Sequence, residues 1–270
     1  MYTHKCAALH FDIWSIQSQW LQQMVDAVKS GIIPADADRA GRGYDVKTYM
    51  YELSDRIAMI KLEGGLMKQG SKYGGTSTTW ARAAIRHADR NDDVDGIMLH
   101  IDSPGGTSAG TAELGDDVRN VAKPIHAHID DLGASAAYWP ASQADLISMN
   151  RTGFAGSIGT YAVIHDTSGL AEMAGIKVHV LSTGPFKGAG EPGTEVTEDQ
   201  LADWQNVVDK HFSHFADAVR NGRSQLRAKA LFNKVSDGRV FDSKESLNLG
   251  LVDRVESFDT AMIRLKKAIR

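Results

Sequence analysis

Two rhythms of apolar positions organise the chain. Residues 56–62 (RIAMIKL), 95–101 (DGIMLHI) and 124–129 predict strands, and residues 76–89 and 107–121 carry helical spacing between them. Shorter strands are expected at 146–149, 159–165 and 177–181. Strands alternating with helices predict an α/β architecture with largely parallel pairing. Residues 197–221 predict a further helix. Thr197 and Gln200 fit a capping box and Gly222 a stop, while Leu201, Trp204, Val208, Phe212, Phe215 and Val219 form its apolar stripe.

Residues 15–30 predict an amphipathic helix apart from this body. Ser15 serves as its N-cap and Gly31 as its stop, although Ser18 stands where a capping box needs Glu or Gln. Ile16, Trp20, Leu21, Met24, Val25 and Val28 share one face. Residues 34–44 are polar and Gly-rich, as in a linker. The expected organisation is an N-terminal helical arm and linker over 1–50, a main domain over 51–260 and a C-terminal tail over 261–270.

Composition narrows the function classes. A chain of 270 residues that is 42% hydrophobic supports one sizeable core plus an accessory arm. A net charge of -4 shows no basic excess for nucleic acid or an anionic membrane surface. The single cysteine, Cys6, leaves no internal disulfide and no cysteine metal site. The opening MYTHKCAALHFDIW holds no apolar run of signal-peptide length, and no stretch approaches the ~18–20 apolar residues of a membrane span. A cytoplasmic location and no membrane span are expected. There is no His-Glu-x-x-His, and the Gly-rich segments match neither the Walker A nor the dinucleotide pattern, so no metal and no cofactor are expected.

Three segments carry candidate chemistry. Ser135, in Gly133-Ala134-Ser135-Ala136-Ala137-Tyr138, follows a predicted strand and opens a predicted helix. Small neighbours admit a substrate backbone, and free N–H groups at a helix start favour a developing oxyanion. The same position would also suit a plain N-cap. Pro140 fits only within the first turn of that helix. Gly105 and Gly106 end a strand in a turn that can present a bare N–H to a ligand, or simply turn the chain. Lys187 lies in a Gly/Pro loop, where a lysine is ordinarily solvated. A lysine base must be neutral, and bringing an ammonium from ~10.4 to ~7–8 costs about 4 kcal/mol, which burial or a positive field must supply. His126 and His128 alternate on the strand before Ser135. A triad with Asp130 or Asp131 is conceivable, but a histidine so close in sequence does not readily fold back onto the serine, so both read as structural.

Together these segments resemble the signal peptide peptidase A family of serine proteases. The matching pieces, in the family's order, are Ile101-Asp102-Ser103-Pro104-Gly105-Gly106, Ala134-Ser135-Ala136-Ala137-Tyr138-Trp139, Gly156-Ser157-Ile158-Gly159, the Lys187 loop and Gly250-Leu251-Val252-Asp253. The resemblance spans roughly residues 55–256, with about fifty residues between serine and lysine. It implies a ClpP/crotonase-like fold of repeated β-β-α units, Ser135 as nucleophile and Lys187 as general base. It also implies the N–H groups of Gly106 and Ala136 as oxyanion donors, with Gly105, Gly156 and Ser157 along a groove for extended polypeptide. Ala136-Ala137 replaces the Gly-Gly of many members, which keeps the N–H and narrows the pocket.

A soluble arm in place of a membrane anchor resembles the phage and prophage members. These process capsid or scaffold proteins, in the host cytoplasm or the prohead. The resemblance further implies a homo-oligomer in which serine and lysine come from neighbouring protomers. The alternatives are a bacterial signal-peptide or protein-degrading peptidase, a crotonase-like acyl-CoA enzyme, and a non-catalytic assembly protein on the same fold. Residues 1–50 are also compatible with a pro-segment removed by self-cleavage.

Overall fold

A computed structural model describes residues 14–16, 51–70 and 75–269, and of 14–16 the backbone alone. The main sheet is built from strands whose apolar residues face both sides, the pattern of a covered parallel sheet. β3 (Ile57–Glu63), β6 (Gly96–Ser103) and β8 (Ile125–Ala134) run parallel at its centre, after β2 (Glu52–Ser54) has paired antiparallel with β3. β9 (Leu146–Met149) pairs with β8, and β10 (Phe154–Gly156) continues the sheet parallel to β8. β11 (Val240–Asp242) closes that edge antiparallel, and β12 (Arg254–Val255) pairs with β9. The order is β11-β10-β8-β6-β3-β2.

A second, smaller sheet has the order β1-β7-β4-β5. Its members are β1 (Trp14–Ile16), β4 (Leu66–Met67), β5 (Thr76–Ser77) and β7 (Gly105–Thr107). It grows from the C-terminal ends of β3 and β6, so the turn after β6 belongs to both sheets.

Helices cover the main sheet. α1 (Thr78–Arg90) is capped by Ser77, whose hydroxyl accepts from the Trp80 N–H at 3.3 Å. α2 (Thr111–Arg119) starts later than expected, because Gly105–Thr107 is a strand and Gly110 takes a left-handed φ of 85° just before the helix. α3 (Tyr138–Ala141) is a stub, and α4 (Ser168–Met173) is a short helix the periodicity did not predict. α5 (Glu198–Gly222) has the expected capping box, Thr197 and Gln200 bonding reciprocally. Its stripe is buried only at its C-terminal end, at Phe215, Ala216 and Val219, whereas Leu201 is 48% exposed. α6 (Lys229–Val235) and α7 (Ser243–Leu249) follow. α8 (Phe258–Ala268) runs through residue 260 and buries Ala261 and Leu265 against Ile57 and Met98 on the far face of the sheet.

Further expectations differ from the structure. Residues 159–165 and 177–181 form no strand, and the first segment holds only an isolated β-bridge at Tyr161. Ser15 is no N-cap: it sits in the middle of β1, paired with β7. The rest of the expected 15–30 helix lies outside the described residues. Among the described residues no helix is long and apolar enough to cross a membrane.

The architecture matches the expected α/β class, with a largely parallel main sheet.

Candidate active site

The site forms where β6 and β8 end side by side. Their register slips between Ile101 and Ser103, so Ser103 comes opposite Gly133. The Ser103 hydroxyl donates to the Gly64 carbonyl at 2.6 Å and accepts from the Gly105 N–H at 3.2 Å, which pins the turn after β6. Gly105 has a φ of 100°, open to glycine at little cost. Gly106 lies so close to β4 that a Cβ would stand 1.7 Å from the Leu66 carbonyl oxygen, so no side chain fits. β7 then lies against the turn that follows β8.

That turn holds Ser135. β8 ends at Ala134 and passes into a 3₁₀ turn, Ser135–Ala137, where Ser135 takes a φ of 55°. A non-glycine residue in the left-handed region costs about 1–2 kcal/mol and persists only where its surroundings enforce it. The enforcement comes from behind. Ala136, Ala137 and Tyr138 are fully buried, the Tyr138 hydroxyl donates to the Leu251 carbonyl at 2.7 Å, and Trp139 stacks on Phe215 at 4.8 Å. Burial of the Tyr138 ring also drives its phenol well above its ordinary range, so it stays a donor. Ser135 is 1% exposed and its hydroxyl bonds to no other described residue, so it caps no helix. The helix behind it is shorter than expected, a 3₁₀ turn and a four-residue stub, so any oxyanion stabilisation comes from individual N–H groups rather than a long helix dipole. Pro140 lies in the first turn of α3, where its missing N–H costs nothing.

A cavity of about 420 Å³ opens beside Ser135, walled by Ser157, Ile158, Tyr161, Val208 and Phe212. β10 brings Ser157 there, since Gly156 pairs with Ala134 and the next residue on each strand faces the cavity. Gly156 (φ 119°) leaves no room for a Cβ beside the Arg239 carbonyl, and Ser157 is a second non-glycine residue at positive φ, 51°. Its N–H donates to the Arg239 carbonyl at 2.6 Å. Burial pushes the Tyr161 phenol up to about 12.

The fold thus brings together Ser135, Ala136, Gly105, Gly106, Gly156 and Ser157. It does not bring Lys187 to them within one chain. Lys187 is exposed, its N–H donating to the Gly184 carbonyl at 3.1 Å, and it lines a separate hollow with residues 178–183 and Glu191. His126 and His128 are buried in the sheet. The His128 ring nitrogens face the Ser148 hydroxyl at 2.8 Å and the Asn150 carboxamide oxygen at 3.3 Å, and Asp130 accepts from the Asn150 amide. Neither histidine bonds Ser135. Among the described residues no cluster of three or more His, Cys, Asp and Glu is placed to hold a metal.

The family model of Peptidase family S49 matches residues 118–270, more than half of the chain. The chain belongs to peptidase family S49. This is the family of signal peptide peptidase A, and the match includes Ser135, Ala136, Gly156, Ser157 and Lys187. The S49 chain is 28% identical to a putative protease of Methanocaldococcus jannaschii over 66% of its own length and 58% of that protein's. It is 25% identical to capsid assembly protease C of Escherichia phage lambda, covering 81% of this chain and 51% of that one. With protease 4 of Haemophilus influenzae it shares 24% identity over 81% of this chain and 36% of the relative. The chain thus spans between about a third and three-fifths of these relatives' lengths. Among solved structures it resembles an enoyl-CoA hydratase of Shewanella pealeana, with a TM-score of 0.52 at 11% identity over 81% of this chain and 72% of that one. That likeness gives the S49 chain its crotonase-like fold.

Sequence reasoning assigned no role to Ser103, Tyr161, Val208 or Phe212. Ser103 could have been suspected from its place before Pro104-Gly105-Gly106. Val208 and Phe212 stood only as members of an apolar stripe, because periodicity cannot tell a helix face that meets a core from one that lines a cavity.

Proposed function

We propose that this chain is a serine endopeptidase in which Ser135 attacks and Lys187 of a neighbouring copy is the general base. The left-handed Ser135, aimed beside a cavity and next to the Gly105–Gly106 turn, carries this reading. Its Oγ bonds to the carbonyl carbon of an extended peptide while the Lys187 amine takes the hydroxyl proton. The Gly106 and Ala136 N–H groups donate to the resulting oxyanion. Collapse breaks the C–N bond and Lys187 returns its proton to the leaving amine. Water then hydrolyses the acyl-enzyme by the same exchange in reverse.

The neighbouring copy enters because Lys187 sits outside the Ser135 cavity, on an arm rich in exposed apolar residues. Met173 is 87% exposed and Leu181 97%, with Leu170, Ile176 and Phe186 also open. Such a surface calls for a partner, and docking would bury Lys187 and favour its neutral amine. A closed ring of copies satisfies a head-to-tail contact of this kind. The substrate we assign is a capsid or scaffold protein, in line with the phage relative named as a capsid assembly protease.

Intact-mass analysis after incubation with a peptidyl phosphonate tests the dyad. Wild type should gain one adduct, mapping to Ser135, and Ser135→Ala and Lys187→Ala should gain none. Labelling that persists in Lys187→Ala would remove the lysine from the mechanism. No labelling of wild type would sink the peptidase reading.

A further inference from the structure

The edge of β7 that faces away from β4 is already taken. β1 pairs with it antiparallel, Trp14 opposite Thr107, Ser15 opposite Gly106 and Ile16 opposite Gly105. β4 holds the other edge through Leu66 and Gly106. A strand has only two hydrogen-bonding edges, so β7 has none left for a third backbone. β1 also lies against the Ser135–Ala137 turn, so it touches both segments that frame the proposed nucleophile. An extended peptide pairing with β7 so that its carbonyl reached Gly106 and Ser135 would need the ground β1 occupies.

We propose that Trp14–Ile16 is an inhibitory strand, held on the substrate edge of β7 and displaced before a peptide pairs there. The proposal rests on the peptidase reading above. Residues 17–51 join β1 to β2, so the competitor is tethered and acts at an intramolecular concentration that free substrate must exceed. Three paired residues make a short contact, one that a longer substrate strand with side chains in the Ser135 cavity can outcompete. β1 is also the end member of its sheet, so its departure frees one edge of β7 and leaves the β7–β4 and β4–β5 pairings in place.

The test compares full-length wild type with the Ser15→Pro/Ile16→Pro double variant. Successive residues of a strand point their N–H groups to opposite sides, so one of the two prolines removes a bond to β7 whichever residue donates it. Two readouts are taken: hydrolysis of an extended fluorogenic peptide, and hydrogen exchange at the β7 amides. If the strand is bound about nine-tenths of the time, its loss should lower KM about tenfold with kcat unchanged. The β7 amides should exchange faster in parallel. A synthetic peptide of residues 10–20, added in trans, should restore the higher KM in the variant and should raise KM in wild type, a check that holds even where the variant folds poorly. Equal KM values and no competition by the peptide would overturn the inhibitory strand while leaving the peptidase reading intact. If neither protein cleaves the peptide or takes the phosphonate, while the β7 amides stay protected in wild type, the peptidase reading fails and β1 is a structural strand only.

Discussion

Glycine 106 is the residue on which the geometry is least forgiving. Its α-carbon faces the Leu66 backbone across a gap that a methyl group overfills, so Gly106→Ala must push β7 away from β4. β7 lies against the Ser135 turn, and the shift would carry the Gly106 N–H off its proposed oxyanion position. Loss of one such donor costs about 10²–10³ in rate. The rate of phosphonate labelling at Ser135 should fall by that order while the far-ultraviolet circular dichroism stays that of wild type. Labelling at the wild-type rate would rule out Gly106 as a donor. Ser135 itself pairs strain with burial. Its positive φ is held by Tyr138 and Trp139 behind it, so the orientation of the proposed nucleophile depends on packing by residues outside the proposed dyad.

At the scale of elements, β8 carries both the approach to Ser135 and two buried histidines. Burial lowers the pKa of His126 and of His128 below the ordinary value, desolvation being the leading cause in each. The unfolded chain therefore binds more protons than the folded one at pH values just below about 6.5, and stability rises with pH there. It is fully present above about 6.5 and is lost as the pH falls through that value toward the lowered folded pKa values. Carboxylates ordinarily titrate near 4, below this window, although burial and the neighbouring Asp131 raise Asp102 above that value. Urea midpoints should fall between pH 7.5 and 5.5, and the fall should be smaller in His128→Asn. A flat midpoint across that range would mean that the strand accommodates charged imidazoles.

α5 is the other element with a divided role. Its C-terminal end packs Phe215 and Val219 into the core, Val208 and Phe212 wall the Ser135 cavity, and Leu201 is left in the open. One periodic stripe therefore meets three environments in turn.

At the scale of the whole molecule, the proposed Ser135–Lys187 pair needs two copies, since Lys187 lies outside the Ser135 cavity of its own chain. If each site takes its serine from one copy and its lysine from the next, two inactive proteins complement each other. Mixing Ser135→Ala with Lys187→Ala under conditions that exchange subunits should restore roughly a quarter of wild-type activity, since only a Lys187→Ala copy followed by a Ser135→Ala copy completes a site. Titration of adducts on the mixture reads this directly. A mixture as inactive as its parts, despite proven exchange, would place both groups in one chain or take Lys187 out of the site.

Local pattern and turn chemistry determined the alternation of strands and helices, the parallel centre of the sheet, the Thr197 capping box and the motif around Ser135. Each depends on residues close in sequence, or on an apolar rhythm that burial on one or two faces imposes. Tertiary structure decided the rest. The positive φ of Ser135, the exclusion of any side chain at Gly106 and the cavity wall given by α5 all arise from contacts between distant segments, which no short window contains. The pairing of Trp14–Ile16 with β7 is the clearest case. An amphipathic pattern predicted a helix starting at Ser15, and a free strand edge beside Gly106 outweighed that local preference at Ser15 and Ile16, because unpaired backbone groups in a sheet must find partners.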